Sequence, residues 1–120
     1  MTKIFLVSII SILGIASCTY NSEEELYGTS NCDTENMSYS TDIVPLITNN
    51  CLGCHGTFNY LGNVNLEGHT EIVKYATDGS LVGSIKHSAG YVAMPDGSPK
   101  MDACSIAKIE SWVNAGSPNN

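Results

Sequence analysis

The sequence predicts an all-α domain. Three observations carry that prediction. Apolar residues recur at helical spacing in several separate stretches, glycine, proline and asparagine punctuate the chain between them, and no alternating strand pattern of useful length occurs.

The first predicted helix is Asp42 to Asn50, where Ile43, Val44, Leu46 and Ile47 form a one-sided stripe. Pro45 falls early in it, where a missing donor is tolerated. Cys51 follows, and Gly53, Gly56, Gly62 and Asn63 make the next stretch rich in loops. A second helix is expected over Thr70 to Asp78, with Thr70 as its N-cap and Gly79 as its stop. Ser80 then caps a short helix through Lys86 that turns Leu81, Val82 and Ile85 inward. Gly90 to Lys100 contains Pro95, Gly97 and Pro99 and reads as an extended loop. Asp102 caps the last helix, Ala103 to Ala115, which stops at Gly116. Ile106, Ile109, Trp112 and Val113 share one of its faces.

The domain is expected over residues 40–120, and what precedes it reads differently. Lys3 and the apolar run Ile4 to Ile15 match a secretory signal, since a run this short falls below the about 20 residues a membrane helix needs. The run ends in Ile15-Ala16-Ser17-Cys18, which looks like a bacterial lipobox. Small side chains suit the peptidase, and the thiol of Cys18 accepts the lipid. Residues 1–17 are thus expected to be a lipoprotein signal peptide. An ordinary signal peptide that happens to contain a cysteine is the alternative. Multiple acyl chains anchor a protein to a membrane stably, unlike one. Residues 18–39 are polar and carry Glu23-Glu24-Glu25. They are expected to form a flexible tether, a solvated linker being a simpler reading of the glutamates than a docking patch. The expected location is the cell envelope, with the domain facing the periplasm or the cell exterior.

At 120 residues the chain suggests one small domain. Its formal net charge is −7, and it has no arginine. The five lysines are scattered, so no basic stripe exists to neutralise phosphates, and nucleic-acid binding is not expected.

Chemistry is concentrated in Cys51-Leu52-Gly53-Cys54-His55, the C-x-x-C-H signature of c-type haem attachment. Two thiols three residues apart on a helical turn reach two vinyl groups on one porphyrin edge. The adjoining histidine then falls beneath the iron. Other readings fit less well. A zinc site would want a second pair of ligands at similar spacing. A thioredoxin-like pair would want a βαβ context. A disulfide across two residues would be strained and would leave His55 unexplained.

With these residues in view, the sequence resembles a small single-haem, class I-type cytochrome c domain, in the lipoprotein form found in Gram-negative bacteria. The likeness covers about Ser40 to Pro118. It rests on the first helix, the haem motif, the Met94-Pro95 loop and the C-terminal helix with Trp112. The resemblance implies a compact helical fold around one covalent haem c, with the first and last helices crossing and one haem edge exposed. It implies one-electron transfer rather than enzymatic catalysis, with redox proteins of the cell envelope as partners. The alternative is a haem enzyme or gas sensor with an exchangeable sixth ligand.

For the far side of the iron the candidate is Met94. Pro95 biases it toward an extended conformation, in a loop bounded by Gly90 and Gly97, where the family places its methionine. His87 is the rival ligand, and core filling is the blander role for Met94. Met101 is expected to pack against the last helix, and His69 to be a surface or capping residue. Leu66, Tyr75, Tyr91 and Trp112 are candidates to wall the haem or simply to fill the core. Cys18, Cys51 and Cys54 being assigned, Cys32 and Cys104 remain as an even pair in an oxidising compartment. They are expected to form a disulfide, helped by the meeting of terminal helices that the resemblance implies. Two unpaired thiols are the alternative.

Overall fold

The computed structural model describes residues 32–120. The expected signal peptide, the expected lipid-bearing residue Cys18 and the expected tether up to residue 31 lie outside the described residues. No helix among the described residues is long and apolar enough to cross a membrane.

Among the described residues the chain is mostly helical. The α-helices are α1 (Val44–Asn50), α2 (Leu52–His55), α3 (His69–Thr77), α4 (Ser80–Ile85) and α5 (Ala103–Asn114). A π-helical turn, Tyr39–Ile43, leads into α1. The one strand, Asn59–Tyr60, is two residues long and pairs back on His55 and Gly56.

Most of the apolar residues read from the sequence fall in the core, although Val44 is exposed and Val82 and Val113 are half-buried. Ile43 and Ile47 come from the first helical segment, Ile72 and Ala76 from α3, and Leu81 and Ile85 from α4. Ile106, Ile109 and Trp112 come from α5. Of these, Ile43, Ile72, Ile109 and Trp112 have no solvent-exposed side-chain surface worth the name. α5 packs against both the π-helical turn and α4, so it joins the two ends of the fold.

Several boundaries move from their sequence positions for identifiable reasons. The first helical segment begins at Tyr39, because Ser38 and Asp42 cap it reciprocally. Ser38 Oγ accepts from Thr41 N–H at 3.5 Å, and the Ser38 N–H donates to Asp42 Oδ2 at 2.9 Å. Met37, expected ahead of the domain, is buried in the core, and the Thr34 carbonyl accepts from Ser111 Oγ at 2.6 Å. The packed chain therefore reaches back before residue 40. α3 starts at His69, with Gly68 as its N-cap at φ 90°, so Thr70 lies inside the helix instead of capping it. His69 is drawn inward rather than left at the surface. Its Nε2 donates to the Ser117 carbonyl at 2.8 Å, and its ring meets Tyr39 and Trp112 edge-on. Asp102 caps α5 as expected, accepting from the Ser105 N–H at 2.9 Å.

Residues 117–120 are stitched to the start of the domain. Trp112 Nε1 donates to the Pro118 carbonyl at 2.9 Å, which satisfies a fully buried indole. The Ser40 N–H donates to the Asn120 carbonyl at 3.0 Å, and the Tyr39 N–H to Asn120 Oδ1 at 2.8 Å. Cys32 and Cys104 form a disulfide, with Cα atoms 5.6 Å apart across a sequence separation of 72.

Candidate functional site

α1 runs directly into the Cys51–His55 motif. The Cys51 N–H donates to the Ile47 carbonyl at 2.8 Å, closing the last turn of α1. The chain then restarts as α2. The Cys51 carbonyl accepts from the N–H groups of Cys54 at 3.1 Å and His55 at 2.9 Å. Both thiols and the imidazole therefore sit on one helical turn. Cys51 and Cys54 are free thiols, the first half-buried and the second exposed. Burial pushes the Cys51 thiol up to about 11, so it stays protonated at neutral pH. A redox-active or metal-binding cysteine needs the opposite shift, toward thiolate.

The segment after the motif folds back over it and fixes His55 at two points. The His55 carbonyl accepts from the Leu66 N–H at 2.8 Å. Its ring Nδ1 lies 3.1 Å from the Val64 carbonyl. A carbonyl can only accept, so Nδ1 carries the proton and Nε2 is left as the imidazole's lone-pair donor. No hydrogen bond among the described residues engages Nε2. A short hairpin at His55–Tyr60 and a bond from the Thr57 N–H to Glu67 Oε2 at 2.7 Å tie the loop down. The Thr57 side chain and N–H beside that carboxylate hold Glu67 below the usual range. Gly56 is needed at the exit of the motif, because a Cβ there would lie 2.8 Å from the Leu52 carbonyl oxygen.

Met94 sits on a different segment, the loop after α4, and is half-buried. Its N–H donates to the Ser84 carbonyl at 3.1 Å. His87, the rival ligand, points its Nε2 at the Met94 carbonyl from 3.0 Å. Met101 packs on the core next to α5. Leu66 and Trp112 are core residues, Tyr75 packs against the core, and Tyr91 is largely exposed.

Two features bear on whether the residues suit a covalent haem. The donor set is two uncommitted thiols on one turn beside an imidazole whose ring proton is held away from Nε2. No three His, Cys, Asp or Glu side chains converge as a metal-ion cage among the described residues. The exposed large apolar side chains also have a pattern. All but Val44 fall on the loops that follow the motif or precede Met94: Phe58, Tyr60, Leu61, Tyr91 and Val92. Loops rich in uncovered apolar surface suit a large flat apolar group. Two shallow depressions of about 250 Å³ are also present, one beside Lys86 and Met101 and one bordered by Val44, Leu52 of the motif, and Leu66. Neither is lined by Cys51, Cys54, His55 or Met94.

Sequence reasoning missed the Val64 carbonyl and the Leu66 N–H as the parts that hold His55. Both are main-chain groups about ten residues on, and no residue type announces them. Compared with protein-family models, with curated proteins and with solved structures, the chain has no significant match in any of the three.

Proposed function

We propose that the protein is a one-electron carrier: a single-haem c-type cytochrome of the cell envelope, anchored to a membrane through a lipid on Cys18. Cys51 and Cys54 would hold haem c by thioether bonds, with His55 and Met94 as the axial ligands of its iron. The observation that carries this reading is the Cys51–His55 turn, on which both thiols are free and the ring of His55 is pinned through Nδ1.

When bound, the group supplies a ferric–ferrous couple. The protein's own residues do the rest. The Val64 carbonyl fixes the tautomer and orientation of His55 and raises the basicity of Nε2 as a ligand. The Leu66 N–H and the end of α1 keep the motif turn from drifting. Met94 offers a soft thioether, which favours the ferrous state and raises the reduction potential relative to two histidines. The net charge of −7 favours basic faces on the redox partners of the cell envelope, since complementary potentials speed encounter.

The test is to express the full chain with a haem-attachment system and record the reduced spectrum with and without carbon monoxide. A six-coordinate carrier resists carbon monoxide. Rapid and complete binding contradicts the carrier and favours a gas sensor or enzyme with an exchangeable sixth site.

A further inference from the structure

α4 ends in an arrangement that its sequence disfavours. The His87 N–H donates to the Ser84 carbonyl at 3.1 Å, and the Ser88 N–H to the Gly83 carbonyl at 2.9 Å. These are the paired bonds of a Schellman motif. His87 occupies its left-handed position, at φ 54°. A side chain crowds the backbone there, and glycine is the usual occupant. α5 ends in the same way but with Gly116 at the matching position, at φ 90°. Its bonds run from Gly116 N–H to Val113 and from Ser117 N–H to Trp112. The histidine at the end of α4 therefore carries a conformational cost that glycine would avoid.

What offsets that cost lies at the far end of the loop. His87 Nε2 is 3.0 Å from the Met94 carbonyl oxygen, and since the carbonyl only accepts, Nε2 carries the proton and donates. The Met94 N–H donates at 3.1 Å to the Ser84 carbonyl, which also receives the His87 N–H. One helical turn thus holds Met94 by both its N–H and its C=O. Tyr91 secures the loop between: its N–H donates to the Ser88 carbonyl at 3.2 Å, and its ring covers Gly83 so closely that a Cβ there would overlap it.

We propose that His87 is a positioning residue, whose hydrogen bond to the Met94 carbonyl holds the 87–94 loop so that Met94 presents its thioether to the iron. His87 is then the clamp on the sixth ligand and not its competitor. The inference rests on the His55–Met94 reading of the site.

Three haem-loaded proteins test it: the parent, His87→Gly and His87→Gln. Glycine suits the left-handed position, so His87→Gly keeps the turn and removes only the clamp. Glutamine brings an amide N–H toward the place of Nε2. The readouts are the long-wavelength sulfur–iron absorption of the ferric form, the reduction potential, and the affinity of the ferric form for added imidazole. His87→Gly is expected to weaken the absorption, lower the potential and bind imidazole about three- to tenfold more tightly, the scale of one net hydrogen bond. His87→Gln is expected to recover most of the parent's behaviour. A His87→Gly protein equal to the parent in all three readouts overturns the clamp while leaving the Met94 reading intact. Failure of glutamine to recover anything removes the hydrogen bond as the cause. A parent without the sulfur–iron absorption overturns the Met94 reading, and the clamp falls with it. If His87→Gly also loses a ligand in that case, His87 is the sixth ligand.

Discussion

A histidine and a methionine are treated alike by this backbone. His55 is held by its carbonyl and by its ring nitrogen, and Met94 by its N–H and its carbonyl, each through a chain segment that loops back. Holding a proposed ligand at two points fixes where its side chain starts, which would lower the freedom lost on binding. The consequence for Met94 is specific. Met94→Ala removes the thioether but none of the main-chain bonds that shape the loop. The haem-loaded variant is expected to lose the long-wavelength sulfur–iron absorption and to show a lower potential, while its far-ultraviolet circular dichroism stays that of the parent. An unchanged absorption and potential would exclude Met94 as the ligand. Cys51 makes the complementary point. A thiol that burial keeps protonated is a poor candidate for thiolate chemistry.

The helices show which parts of the sequence speak for themselves. α5 was legible throughout, because Asp102 caps it, Gly116 ends it, and Ile106, Ile109 and Trp112 recur at helical spacing. The start of the first helical segment was not legible. Its cap, Ser38, is followed by Tyr39, Ser40 and Thr41, which give no periodic apolar signal, and the turn is π-helical. The end of α4 was read at Lys86, its C-cap, but the turn that follows was not, because its left-handed residue is a histidine and the usual glycine signal is missing. The motif itself was legible from spacing, while its supports were not, because they are main-chain atoms. The Asp102 cap allows a test at this scale. The Ser105 side chain and N–H beside its carboxyl hold it below the usual range, the N–H donating to Oδ1. A depressed carboxyl stabilises the fold above its unfolded value of about 3.9, and that contribution is lost as pH falls through the lower folded value. Asp102→Ala is expected to lower stability in urea by about 1 kcal/mol at pH 7. The gap between variant and parent should narrow below about pH 4. A gap that is constant from pH 7 down to pH 3 would contradict the cap.

Across the whole molecule, α5 is the common support. It packs on the π-helical turn that leads to the motif and on α4 that carries the Met94 loop. Its first turn is bonded to Cys32, and residues 117–120 close onto the first helical segment. The disulfide was legible from parity, once three cysteines had other roles, although the depth to which residues 32–39 pack into the domain was not. With its ends 72 positions apart in sequence, the bridge restricts the unfolded chain by about 4 kcal/mol on the loop-entropy view. The double variant Cys32→Ser, Cys104→Ser is expected to lose stability on that scale in denaturant, with helix content kept at low denaturant. Equal midpoints for variant and parent would show that the bridge adds nothing. In the proposed reading, the exposed apolar loops, the acidic charge and the lipid-bearing terminus would all gain their meaning from haem attachment at Cys51 and Cys54. The most direct measurement is therefore the intact mass of the full chain under denaturing conditions, after expression with a haem-attachment system and thiol alkylation without reductant. A c-type cytochrome would carry the added mass of one haem, retained on unfolding, with neither Cys51 nor Cys54 alkylated. A chain that carries no haem and is alkylated at both cysteines would contradict that reading.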